Sequence, residues 1–300
     1  MALLFSVLLH ILNVEIVCAI QKKDPFVRVF FYFKNMNLNS ILIISDLEGC
    51  YAVEKFSETR SIGKTLENVR KLHTDQLNNL IQSIRSFNKT IALHVWDSHG
   101  CGGINKKDLT DVNNFIYPGE FHLTNYLKEN QIDAVFFDSA HAKNRTPCAN
   151  LCHTMSSIRI KRYVLNGNEI GEIGLRSAIA GELDIPVFYV NGDDKACTEA
   201  KSIMPWIVTT VTKHSREIQK IARIPCDEVF KSIREDVDRA LKSAEQMRPL
   251  KISPPIDLKI ERKLKYSIFN YFKRLLNRQG SFENRFKVKS LSELVDNGIL

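Results

Sequence analysis

The chain has 300 residues, is 44% hydrophobic and 25% charged, and carries a formal net charge of +8. That composition is ordinary for a globular protein, and the length suffices for one large domain, or two modest ones, around a sizeable core. The charge does not by itself make a nucleic-acid binder: residues 251–289 hold 11 basic and 3 acidic side chains, which leaves the remainder neutral.

A basic segment with interleaved aromatics is more often the solvated face of a helix beside a core stripe than a binding surface. No nucleic-acid partner is expected, and contact of this tail or of the N-terminus with a membrane stays open. Seven cysteines, an odd number in a long chain, argue against a disulfide framework and for reduced thiols. "CANLCH" (148–153) lacks the second cysteine pair of a zinc ribbon, so Cys148 and Cys152 read as small buried thiols.

The apolar run at the start ends near Val17-Cys18-Ala19, but no Lys or Arg precedes it and Glu15 interrupts it. A secretory signal opens on positive residues, so a cytoplasmic location is expected, with export as the alternative. Residues 1–39 form an extension, 40–250 a catalytic α/β domain, and 251–300 a strand and basic helical segment of the same domain or of an oligomer contact.

Within the body, 41–45 reads as a buried strand and 64–86 as a helix, with Leu66, Val69, Leu77, Leu80, Ile81 and Ile84 on one stripe. A strand at 90–96, a short helix at 124–130 and a third strand at 134–137 follow. Segments 160–165 and 169–170 flank Asn166-Gly167, a hairpin signal. The pattern continues with a helix at 174–183, strands at 186–190 and 206–212, a charged helix at 227–245 and an edge strand at 256–261. Continuous apolar strands separated by helices define an α/β fold with a mixed, mostly parallel sheet, flanking helices and a site at the strand carboxyl ends.

Acids and histidines stand at those ends. Asp46 and Glu48 follow the first strand, Asp97 and His99 the second ("DSHG"), Asp138 and His141 the third ("DSAHA"). Glu172 opens a helix, Asp193 and Asp194 follow "PVFYV", and His153 sits in "CHTM". Singly, each has a plain structural reading: a turn cap, a satisfied histidine, or a first-turn acid favoured by the helix dipole. Asp46 and Glu48, two apart, share one face of the chain and repel unless a cation lies between them. Imidazole with carboxylate suits zinc, manganese or iron, and two neighbouring metals need a bridging carboxylate.

In order, "SDLEG", "DSHG", "SAHA", "CHTM", "GEIGL" and "NGDD" resemble the motif series of the zinc D-aminopeptidases of bacterial dipeptide-transport operons. The resemblance runs from about Ile41 to the end of the chain. It implies two zinc ions per subunit, with Asp46 bridging, Glu48 and His99 completing one and His141 and Glu172 the other. It makes His153 the catalytic residue, implies an α/β domain assembled into a homodecamer, and implies short peptides with an N-terminal D-residue as substrate. Gly49 would let the backbone turn without crowding the metals. Residues 1–39 lie outside the family core, and the C-terminal region matches only loosely. Three features within the core also depart from the pattern: the thiols Cys50 and Cys101 beside the motifs, which could add a soft ligand or an oxidation liability, and Ser139-Ala140 where the family has Gly and an aromatic residue.

The expected activity is a metal-dependent aminopeptidase acting through an activated water, with His153 moving protons or stabilising the oxyanion. Manganese or iron could replace zinc. A free substrate amine would need an acid, for which Asp193 or Asp194 is a candidate beside their plain role in a turn. The alternatives are a two-metal phosphoesterase, against which stands the scarcity of basic residues near the motifs apart from Lys143 and Arg145, and a non-catalytic binding or assembly protein.

Overall fold

The computed structural model describes residues 38–60, 64–119, 122–263, 283–296 and 299. The apolar N-terminal run and most of the basic helical segment lie outside them. The first half of the chain runs β1 (Ser40–Ser45), α1 (Phe56–Arg60), α2 (Lys64–Phe87), β2 (Ala92–Asp97), β3 (Asn114–Ile116), α3 (Leu123–Glu129) and β4 (Ala134–Ala140). It continues with β5 (Ile160–Leu165), β6 (Asn168–Ile170), α4 (Glu172–Glu182), β7 (Val187–Asp193), α5 (Asp194–Ile203), β8 (Val208–Glu217) and β9 (Lys220–Arg223). Then come α6 (Cys226–Lys242), β10 (Ile256–Arg262), β11 (Glu283–Val288) and α7 (Leu291–Asp296).

Seven strands form the main sheet in the order β3-β2-β1-β4-β7-β8-β9. All neighbours pair in parallel except β8 with β9. The alternation of a strand explains why β1 is apolar throughout. Ile41 and Ile43 face one layer, with Leu77, Leu80 and Ile84 of α2 and Val229, Ile233 and Val237 of α6. Leu42 and Ile44 face the other, with Leu175 and Ala178 of α4 and Leu123 and Leu127 of α3. A sheet covered on both faces needs continuous apolar strands, and β1 is buried at all six positions.

The hairpin forms where expected, with Asn166 and Gly167 both at positive φ (47° and 84°), as a two-residue turn of this type demands. It does not belong to the main sheet, however. β5 and β6 join a second, antiparallel sheet in the order β11-β10-β5-β6. The mixed character of the main sheet comes instead from β9, which folds back on β8. β10 was expected at an edge; it lies between β5 and β11, with Ile256, Leu258 and Ile260 in the same core as α4.

Two features set up the site. Ser45 is level with Asp97 of β2 and Asp138 of β4, so three adjacent strands end together. The chain also leaves β1 towards β2 on one side and returns to β4 on the other, so β1 and β4 flank the point where the winding reverses, the usual crevice of such sheets.

Candidate metal centre

The structure brings Asp46, Glu48, His99, His141, Glu172 and His153 into one buried cluster. Asp46 and Glu48 follow β1, His99 follows β2 and His141 follows β4, while Glu172 is the first residue of α4 and His153 lies in the loop before β5. His99 Nδ1 is 3.2 Å from Asp46 Oδ1 and 3.1 Å from Glu48 Oε2. His141 Nε2 is 3.4 Å from both Asp46 Oδ2 and Glu172 Oε1. Asp46 therefore turns one oxygen to each histidine. The rings of His141 and His153 stack, with centroids 3.9 Å apart and planes 13° from parallel.

The histidines are oriented by backbone carbonyls. His99 Nε2 donates to Thr59 O at 2.9 Å, His141 Nδ1 to Ala142 O at 3.0 Å and His153 Nδ1 to Leu151 O at 2.9 Å. Each donation leaves the second ring nitrogen for the cluster; such tethering is what orients metal-binding histidines.

The residues fit a metal on two further grounds. Glu48 Oε2 and His141 Nε2 are buried and, apart from the 3.1–3.4 Å approaches within the cluster, have no hydrogen-bond partner, which is costly unless something else satisfies them. Donors about 2.0–2.1 Å from a tetrahedral zinc lie roughly 3.3–3.4 Å from one another, close to the separations seen. Two overlapping sets, Asp46–Glu48–His141 and His141–His153–Glu172, each place their donor atoms within 4.8 Å of one another.

The electrostatics point the same way. Burial opposes charge on His99, but the carboxylates of Glu48 and Asp46 outweigh it and push the ring up to about 12. His141 is likewise driven up, against burial, by Asp46 and Glu172. Burial would raise Asp46 and Glu172, yet His141 and His99 hold Asp46 well below the carboxylate range, and Arg176 and His141 bring Glu172 down to about 2. Three carboxylates thus demand positive charge, which protons supply on the rings and a metal ion would supply by displacing them. His153 differs: burial and the neighbouring His141 lower it, so it is neutral at pH 7 with a free Nε2.

Several supports had weak or no signal in the sequence. Arg176 pairs with Glu172 Oε2 at 3.0 Å, and the backbone N–H of Met155 donates to Glu172 Oε1 at 2.7 Å. The spacing of four along a helix could have flagged Arg176. Asp138, fully buried, accepts from Ser45 Oγ (2.9 Å), His73 Nε2 (3.0 Å) and Asn191 Nδ2 (2.9 Å), tying the ends of β1 and β4 together. Lys213, buried on β8, donates to the backbone carbonyls of Glu48 and Val53 and so fixes the turn that carries Glu48.

Other expectations change. Gly49 answers a backbone contact rather than the metals: a Cβ there would stand 2.1 Å from Ala140 O and 2.5 Å from Ser139 O. Cys50 sits in an apolar cluster with Leu47, Val53, Leu66, Val69 and Leu151, and burial pushes its thiol up to about 12, so it offers no soft ligand. Cys101 is exposed, as is Cys148, which was expected to be buried. Asp193 caps α5, accepting from the N–H groups of Lys195 and Ala196 at 2.8 and 3.1 Å, and Asp194 accepts from Ser215 N at 2.7 Å. Asp97 accepts from Gly103 and Ile104 N–H and shapes the loop that carries His99.

Fold and cluster together define an α/β protein with an internal carboxylate–imidazole centre suited to metal binding at the carboxyl ends of β1, β2 and β4. More particularly, the chain belongs to the D-aminopeptidase family, peptidase M55, whose model matches residues 40–296. Over 115 residues it is 29% identical to a D-aminopeptidase of Bacillus subtilis (strain 168). That match covers 38% of this chain and 40% of the relative, so the chain matches less than half of that relative's length. Its fold is also that of the Zn-dependent D-aminopeptidase DppA from Bacillus subtilis, described as a self-compartmentalizing protease. The TM-score is 0.74 at 21% identity, covering 87% of this chain and 95% of that one.

Proposed function

We propose that the chain is a zinc-dependent aminopeptidase that removes an N-terminal D-residue from short peptides. The observation that carries this is the buried cluster itself: three histidines, each tethered through one nitrogen, meet three carboxylates, and Glu48 Oε2 and His141 Nε2 face only other members of the cluster. Family membership supplies the reaction class. In this reading Asp46 would be shared by two zinc ions, with Glu48 and His99 holding one and His141 and Glu172 the other.

Zinc, when bound, polarises the scissile carbonyl and makes a water acidic enough to attack near neutral pH. The chain's own part is positional and protonic. Arg176 occupies Oε2 of Glu172 and leaves Oε1 turned to the centre. Neutral His153, with its free Nε2, takes the proton from the attacking water and returns it to the leaving amine. Phe56 lies edge-on to His153 at 6.4 Å between centroids, and Arg60 sits 3.8 Å above the Phe56 ring, so α1 roofs this histidine.

Residues 40–250 and 251–300 are read as one catalytic unit. The homo-oligomer and the ring of ten are carried by the family resemblance, and the cytoplasmic setting by the cysteine usage and the lack of a positive start to the apolar run; among the described residues no helix is long and apolar enough to cross a membrane. The test is an assay of D-Ala-p-nitroanilide against the L-form, with and without chelator, on protein whose zinc has been measured. Absence of both bound zinc and chelator-sensitive amidase activity would overturn the reading, and turnover confined to a phosphoester panel would favour the phosphoesterase alternative.

A further inference from the structure

A concavity of about 390 Å³ is lined by Lys143 and Arg145 from the segment after β4 and by Lys195 and Thr198 from one face of α5. Arg176 and Lys213 are already engaged at the site, with Glu172 and with the Glu48 carbonyl, whereas the carboxylate–histidine cluster uses neither Lys143 nor Arg145. Lys195 pairs with Asp194 at 3.0 Å, and of the two acids lining the cleft, Glu169 lies 3.8 Å from Arg162 while Glu199 Oε2 is taken by the backbone N–H of Lys143 at 2.7 Å. Among the described residues no ion pair engages the head groups of Lys143 or Arg145. Glu199 Oε1 is buried and unpartnered, and burial raises this carboxyl above its ordinary value.

The cleft is also tied to the centre by short covalent paths. Lys143 is two residues after His141, at most about 7 Å along the chain. Glu199 packs against Gly171, the residue before Glu172; a Cβ on Gly171 would meet Glu199 Oε1 at 2.2 Å. The backbone of Lys143 therefore stands within the span of one or two peptide residues from that of His141. Two cations at that distance match the free carboxylate that ends a di- or tripeptide.

We propose that this cleft is an oxyanion site whose occupant is the C-terminal carboxylate of the peptide cleaved at the metal centre. The choice of occupant rests on the aminopeptidase reading above. It makes Lys143 and Arg145 the residues that measure substrate length, because a longer peptide carries its carboxylate past them.

The experiment compares D-Ala-D-Ala with D-Ala-D-alaninamide on the zinc-loaded full chain, in the native protein and in the Lys143→Met/Arg145→Met double variant. Calorimetric titration with inorganic phosphate and a melting curve accompany each. The native protein should show the lower KM for the free acid. The double variant should melt normally, raise the KM for the acid at least tenfold, leave the KM for the amide within twofold, and lose phosphate binding. Equal changes for acid and amide, or no change for either, would overturn the assignment of the carboxylate. Phosphate binding that depends on Lys143 and Arg145 in a protein inactive on all peptides would keep the oxyanion site, remove the peptide as its occupant and point to a free phosphate. No phosphate binding and no preference for the acid would overturn the site itself.

Discussion

Two glycines each follow a proposed ligand, Gly49 after Glu48 and Gly100 after His99, and the sequence presents them alike. Their surroundings differ sharply. A Cβ on Gly49 would stand 2.1 Å from Ala140 O, 2.4 Å from Ser139 C and 2.5 Å from Ser139 O, all backbone, whereas one on Gly100 meets nothing within 4 Å. In Gly49→Ala the two strand ends must separate by about 1 Å, which strains a packed region by roughly 1–3 kcal/mol. The movement also weakens the 2.8 Å hydrogen bond from Gly49 N to Ser139 O, worth about 1 kcal/mol. The sum of roughly 2–4 kcal/mol corresponds to a melting point lower by about 5–15 °C for a domain of this size. Because Asp46 and Glu48 move away from His141, bound zinc should fall as well. Gly100→Ala should stay within about 0.5 kcal/mol of the native protein and keep its zinc. The assay is a thermal melt with zinc quantified on the same samples. A Gly49→Ala protein that melts within 2 °C of native with full zinc, or a Gly100→Ala protein equally damaged, would refute the reasoning.

Further substitutions separate the roles around the centre. His153→Ala should lower kcat by about 10²-fold or more while zinc content stays near native; parallel loss of zinc would make His153 a ligand instead. Arg176→Met removes the 3.0 Å ion pair to Glu172 Oε2 and should weaken zinc about 10- to 100-fold in a competition titration, and an unchanged affinity would show that Arg176 does not position Glu172. In the second sheet, Arg162, Lys259 and Lys161 hold the Glu261 carboxyl down to about 2, against an ordinary value of 4.5. A depressed carboxyl stabilises the fold above its unfolded value and loses that contribution as pH falls through the folded one. Stability should therefore decline between about pH 4.5 and 2 in melts across the acid range, and Glu261→Gln should flatten that limb.

Much of the fold was legible because buried parallel strands read as unbroken apolar runs, as in "ILIIS" and "AVFF". What local pattern does not carry is which sheet a hairpin joins. Asn166-Gly167 specifies that β5 meets β6, but the partner of β5 is β10, far along the chain. The same holds for β10, whose second neighbour β11 made it central rather than an edge. β9 and α5 were missed for a local reason: Ile218-Gln219 is a weak turn signal, and "DKACTEAKSI" has almost no large apolar residue to mark a helix stripe. At the centre, the acids and histidines were visible because they interrupt or end apolar runs. Their supports were not, since a carbonyl such as that of Thr59 or Leu151 has no residue-type signature, and His73 on α2 reads as one more helix position.

The most direct test of the central claim is the zinc content per chain, measured on the native protein, Asp46→Asn and Glu48→Gln. Asp46 turns its two oxygens to different histidines, while Glu48 meets His99. The account predicts two zinc ions in the native protein, none in Asp46→Asn and one in Glu48→Gln. A native protein with a single zinc, or an Asp46→Asn variant that keeps one, would contradict a centre bridged by Asp46.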